Sequence, residues 1–125
     1  MVSLSPQTDS VMDSNVGGFF GPFLKFSGFD ALELQGKSDK DLIIFIDGIN
    51  HFVEILEALP EPTDTHLLAE QLIDIFADND NEKKNIGVVT SGSAAEHTLF
   101  GMLNFSFYDN KRKKVRFKQA GRGGL

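Results

Sequence analysis

Rings and cations alternate near the C-terminal end of this chain. Phe105, Phe107 and Tyr108 precede Lys111, Arg112, Lys113 and Lys114, and Arg116, Phe117 and Lys118 follow. Single-stranded nucleic acid binders use this chemistry: cations neutralise phosphates while exposed rings stack bases, at roughly 1–3 kcal/mol per base. Tyr108 and Phe117 are the rings expected to stack, and Arg122, within Gly121-Arg122-Gly123-Gly124, adds a basic arm. In the competing arrangement Phe105 and Phe107 point to one face of a strand and into the core, and the lysines only protect a sheet edge.

The charges divide sharply along the chain. Seven of the twelve Lys and Arg residues fall in the last fifteen positions, which hold no Asp or Glu, whereas the preceding 110 carry all eighteen acids. Such a field selects partners by sign and weakens with salt. The acidic middle offers a surface for a basic partner protein, and the basic end of one copy could dock on the acidic body of another, giving a homo-oligomer.

Two further groupings have chemical potential. Ser91, Gly92 and Ser93 sit between an expected strand and an expected helix, where free N–H groups favour an anion. Asp47 with His51, and His66 with Glu70, are each spaced four residues apart; on adjacent antiparallel helices the four side chains could converge on a divalent metal. Surface polar positions are the favoured account of them, and no metal is assigned. Ser91 or Ser93 with His97 lacks the elbow motif of a serine nucleophile. Leu42–Asp47 and Ile86–Ser91 faintly resemble the strands of P-loop nucleotidases, but no G-x-x-x-x-G-K-[ST] stretch exists, which sets nucleotide hydrolysis aside. No residue is assigned a catalytic role and no cofactor is expected; a small α/β enzyme or anion-binding domain ranks third among the functional readings.

The elements that must position these residues follow from hydrophobic periodicity. Residues 1–16 are rich in Ser, Asp, Gln and Thr, and are expected to be a disordered tail. Phe23–Phe26 and Ala31–Leu34 read as short strands. Leu42–Leu59 supports two readings: one long helix, or a buried strand over 42–46 followed by a helix over 49–59, which the β-branched run and the Asp47-Gly48 turn pair favour. Pro60-Glu61-Pro62 ends that segment, and Thr63 or Thr65 caps a helix over 64–77 with the stripe Leu68, Leu72, Ile75 and Phe76. A strand at 86–90, a brief helix from Ser93 to about Leu103, and a hairpin of 104–108 with 115–118 complete the pattern.

The expected fold is α+β: a single domain over 17–119 with a mixed sheet, two helices packed on one face, a C-terminal β-hairpin, and a flexible basic Gly-rich end at 120–125. The absence of Cys excludes a disulfide framework and thiolate metal sites. No apolar run is long enough to span a bilayer, and Met1–Val16 lacks signal-peptide character, so a cytoplasmic protein without membrane contact is expected. The leading functional expectation is a non-enzymatic, nucleic-acid-associated protein, with a protein–protein interaction module as the alternative.

Overall fold

A computed structural model describes residues 1–58, 64–99 and 103–120. The fold is α+β, as expected, with two α-helices and three antiparallel sheets among the described residues. The chain divides into two compact units, residues 21–61 and residues 1–20 with 62–125.

In the larger unit, strands β1 (Val2–Leu4) and β2 (Val11–Asp13) pair antiparallel. A hairpin therefore stands where a disordered tail was expected. The Met1 amino group donates to the Ser14 carbonyl at 2.8 Å, and the Ser14 amide donates back to the Met1 carbonyl at the same distance, which closes the open end of the ribbon.

The C-terminal sheet has the order β5 (Val89–Thr90), β6 (Asn104–Asp109), β7 (Lys114–Gln119). The hairpin is the expected one, longer by one residue on each side of its turn and at the end of β7. Directly paired residues share a face. Phe105, Phe107 and Asp109 therefore stand with Lys118, Arg116 and Lys114 on one side, and Ser106 and Tyr108 with Phe117 and Val115 on the other. On the first side, Phe105 meets Phe20 edge-on with ring centroids 5.8 Å apart, and Phe107 meets Phe19 at 6.1 Å. Phe105 is buried, which is the packing reading of these rings.

Helix α2 (Thr65–Phe76) covers the second side and contributes Ala69, Leu72 and Ile73 to the core. Its cap is Asp64 rather than Thr63 or Thr65: the carboxylate accepts the amides of His66 at 2.8 Å and Leu67 at 3.0 Å, two donors that the first turn leaves without partners. Those N–H groups, Leu67 first, hold the Asp64 pKa below the ordinary carboxylate range. Thr65 instead meets the Thr90 hydroxyl at 2.7 Å and so ties the helix start to β5. Thr63 and Pro60-Glu61-Pro62 lie outside the described residues.

In the smaller unit, β3 (Leu42–Asp47) pairs antiparallel with β4 (Phe52–Glu57). The strand at 42–46 is as expected, but the helix over 49–59 is replaced by β4. Asp47, Gly48 and Asn50 supply the turn, and an apolar strand then folds back on β3, so turn chemistry prevails over helical spacing. The expected mixed sheet with two helices on one face is accordingly separate antiparallel sheets, with α2 alone covering the C-terminal one.

Helix α1 (Phe20–Phe26) takes the place of the expected strand at 23–26. Pro22 falls in its first turn, where a missing N–H costs nothing. Its end is a Schellman motif: Phe29 N–H donates to Leu24 and Gly28 N–H to Lys25, with Gly28 at φ +91°, a conformation glycine adopts without a Cβ penalty. Residues 31–35 form no regular structure where a second strand was expected.

Among the described residues, three hairpins close by the same device. A side-chain oxygen before a four-residue turn accepts the amide two positions on: Ser5 from Gln7, Asp47 from Ile49 and Asp109 from Lys111. The fourth turn residue is left-handed in each, with φ of 52° at Asp9, 57° at His51 and 53° at Lys113. The side-chain bond occupies an amide that the tight turn withholds from the ladder.

Candidate functional site

The basic end is built around one acid. Asp109 ends β6, and its Oδ1 accepts the amides of Lys111 at 3.0 Å and Arg112 at 3.1 Å. Its Oδ2 lies 3.0 Å from Arg112 Nη1 and 3.6 Å from Arg116 Nη1. The guanidinium and amide of Arg112, in that order, hold the Asp109 pKa below the usual range. Two of the expected phosphate contacts are thus partly neutralised within the chain. Lys111, Lys113, Lys114 and Lys118 are exposed, and none has an ion pair among the described residues. Arg122 and the Gly-rich end lie outside the described residues.

The two rings expected to stack on bases are engaged elsewhere. Phe117 stacks on His66 of α2 with centroids 4.1 Å apart and planes inclined by 17°. Tyr108 faces the same side of the sheet, with Lys84 Nζ 6.0 Å from its ring centre. Single-strand binding needs rings open on one face beside the cations, and register sends these two rings to the opposite side from Lys114, Arg116 and Lys118.

Between α2, a 3₁₀ turn at Glu82–Asn85 and the β6–β7 end lies an open depression of about 280 Å³. Glu70, Asp74, Lys83, Tyr108, Lys113 and Lys114 contribute to its lining. Lys83 is tied to Asp74 at 2.8 Å and lies 3.7 Å from Asp80, and the Asp74 carboxylate raises its pKa. Within the depression Asp74 and Lys83 are therefore committed to each other rather than poised as an acid and a base.

The other groupings are not assembled. Ser91 and Gly92 precede, and Ser93 opens, a five-residue 3₁₀ turn, Ser93–His97, not a helix reaching Leu103. One turn lacks the aligned amides of an anion-binding helix start. Asp47 and His51 flank a β-turn in one unit, whereas His66 and Glu70 lie on α2 in the other, so the expected pair of adjacent helices does not exist. The Asp47 carboxylate is engaged by the amides of Asn50 and Ile49 and by the Asn50 side chain, which lower its pKa, with the Asn50 amide foremost. His51 Nδ1 lies 3.2 Å from the Ser27 carbonyl. Neither His51 nor His97 lines the depression. Among the described residues, no three His, Cys, Asp or Glu side chains are grouped to hold a metal, and no helix is long and apolar enough to cross a membrane.

Sequence reasoning missed Asp109 as the organiser of the basic turn and Asp64 as the helix cap. An Asp immediately before a polar four-residue turn, or four residues before the start of an apolar stripe, was the available signal for each.

Comparison with known proteins supplies what the geometry lacks. Residues 1–125 match the family described as aldehyde ferredoxin oxidoreductase, N-terminal domain. The tungsten-containing aldehyde ferredoxin oxidoreductase of Pyrococcus furiosus is 28% identical over 127 residues, covering 100% of this chain and 18% of the relative. That of Pyrococcus horikoshii is 30% identical over 131 residues with the same coverage. That of Thermococcus kodakarensis is 43% identical over 58 residues, 46% of this chain and 9% of the relative. The chain thus spans less than a fifth of the length of these relatives, and no solved structure matches it. The match overturns the expectation of a nucleic-acid-associated protein: the whole chain aligns with an oxidoreductase domain, and the strand register sets Tyr108 and Phe117, the rings expected to stack, on the opposite side of the hairpin from Arg116 and Lys118. The chain belongs to the family of the aldehyde ferredoxin oxidoreductase N-terminal domain.

Proposed function

We propose that this chain works as the N-terminal domain of an aldehyde-oxidising oxidoreductase that passes electrons to a ferredoxin. The observation that carries the reading is the family match over residues 1–125, supported by two relatives that align along the whole chain. Oxidation of an aldehyde to a carboxylic acid takes its second oxygen from water and releases two electrons and two protons. A one-electron carrier is then reduced twice in each turnover.

Within that reaction the domain supplies binding surface and scaffold. Iron–sulfur clusters are held mainly by Cys thiolates, and the chain has no Cys. The tungsten named for the relatives likewise finds no ligand set here: thiolates are absent, and no metal-binding group occurs among the described residues. Direct ligation of a metal by side chains does not fit these residues.

The test is made on the protein isolated from its native source with whatever polypeptide accompanies residues 1–125. Tungsten content and aldehyde-dependent reduction of ferredoxin are expected in that assembly, and neither in the 125-residue chain alone. An assembly without tungsten that leaves ferredoxin oxidised when aldehyde is added would falsify the reading.

A further inference from the structure

We infer that the β6–β7 turn and the adjoining face of β7 form an electrostatic docking surface for an acidic protein. This rests on the reading above: the partner is the electron carrier of that reaction, presenting an acidic face.

Three observations carry the inference. First, residues 111–118 hold six cations, and the hairpin's one carboxylate, Asp109, has a side chain only 13% exposed and is occupied by Arg112 and Arg116. Lys111, Lys113, Lys114 and Lys118 are exposed without an ion pair among the described residues. Lys25, Lys40 and Lys83, by contrast, are paired with Asp30, Glu57 and Asp74. Adjacent like charges repel one another, and an opposite surface converts that repulsion into attraction.

Second, the charges are held in a defined arrangement. Lys114, Arg116 and Lys118 alternate along β7 and so share a face, spaced by about 6.6–6.8 Å, while Lys111 and Lys113 occupy the tip. The Asp109 bonds fix the turn and thereby lower the ordering cost of binding. Third, Phe105, Phe107, Tyr108 and Phe117 are engaged by Phe20, Phe19, Lys84 and His66, so the surface offers charge without open rings. A contact of this kind is small, fast and salt-sensitive, as electron-transfer encounters are. A single-stranded nucleic acid would gain little from it beyond phosphate attraction.

The experiment is titration of the 125-residue chain with an oxidised acidic ferredoxin, read by calorimetry and amide chemical shifts. Binding is expected with shifts centred on residues 111–118, weakening at least about tenfold between ~20 mM and ~300 mM salt. The triple variant K111E/K113E/K114E should lose at least about tenfold in affinity, whereas K37E, at an exposed lysine in the smaller unit, should bind as the parent does. If charge reversal unfolds the hairpin by circular dichroism, the triple Lys→Gln variant replaces it, with a smaller loss expected. Absence of ferredoxin binding, parental affinity in the folded triple variant, or tighter binding of a single-stranded DNA oligonucleotide would each overturn the proposal. Aldehyde oxidation by the native assembly is measured separately. A failed titration beside intact activity removes the docking surface alone, and intact binding beside absent activity removes the enzymatic reading.

Discussion

Asp109 holds Arg112 at two points: one carboxylate oxygen accepts the Arg112 amide at 3.1 Å and the other lies 3.0 Å from its guanidinium. The acid that precedes the run of positive charge thus sets the geometry of the cations that follow it. Its pKa is lowered from the ordinary 3.8 by Arg112, so its folded-state value lies below its unfolded one. The stabilisation is present above about pH 4 and is lost as pH falls through the folded value. Asp109→Asn should remove that acid-dependent part and speed amide exchange at Lys111 and Arg112, leaving exchange in α2 unchanged. Hydrogen exchange at pH 6 with thermal melts between pH 2.5 and 6 checks this, and equal acid sensitivity in variant and parent would discount the role given to Asp109.

Ser106 is fully buried, and its hydroxyl oxygen accepts the Val88 amide at 2.8 Å while its own amide donates to the Val88 carbonyl at 2.8 Å. The side chain does the work of a ladder bond where β5 is only two residues long. Ser106→Ala leaves the Val88 amide without its acceptor, at a cost of about 1–3 kcal/mol. Urea unfolding is the measurement, and a loss below about 0.5 kcal/mol would show that water or a shifted strand replaces the hydroxyl.

The parts of the fold legible in the sequence were those whose signals were local and unopposed. Leu42–Ile46 is an unbroken apolar run, three of its five residues β-branched, and lies within β3. Helix α2 has an apolar stripe and a preceding cap, and the C-terminal hairpin has alternating residues around a polar turn. The misread elements had signals pointing two ways. Phe52–Glu57 carries acids at helical spacing, yet the Asp47-Gly48 turn before it returns the chain as a strand. Phe23–Phe26 looks like a strand until the Pro22 start and the Gly28 end are read together. The polar stretch at 5–10 has the composition of a disordered segment, but it is the turn joining two three-residue strands.

The site was less legible than the fold because its meaning depends on which side of a strand each ring takes. Composition gives the cations, but only register places Tyr108 and Phe117 on the α2 side of the hairpin and Arg116 and Lys118 opposite. No residue pattern in the chain carries redox chemistry, so the enzymatic lineage emerged from the alignment of the whole chain rather than from a motif.

The two phenylalanines of β6 should differ in weight. Phe105 is 4% exposed and meets Phe20, whereas Phe107 is half-buried and meets Phe19, itself 42% exposed. Phe105→Ala should cost about 3–5 kcal/mol and Phe107→Ala clearly less, because water already reaches its site. A double-mutant cycle between Phe20 and Phe105 should show coupling of about 0.5–1.5 kcal/mol. Equal losses at the two positions would mean that a further surface covers Phe107.

Within the smaller unit, one substitution should change sign between two glycines. A Cβ at Gly48 would stand 3.2 Å from Ser27 Cβ and 3.3 Å from Ser27 Cα, so the β3–β4 turn is pressed against the end of α1. Ser27 cannot swing aside freely, because its hydroxyl donates to the Phe23 carbonyl at 2.8 Å and its backbone carries the helix end. Gly48→Ala must separate turn and helix, at about 1–3 kcal/mol, typical of an overpacked contact. At Gly21, inside α1, an added Cβ meets nothing within 4 Å. Gly21→Ala there gains helix propensity, up to about 1 kcal/mol, and the two variants should bracket the parent in thermal denaturation. If Gly48→Ala melts at or above the parent temperature, the close approach of turn and helix is not a feature of the folded chain.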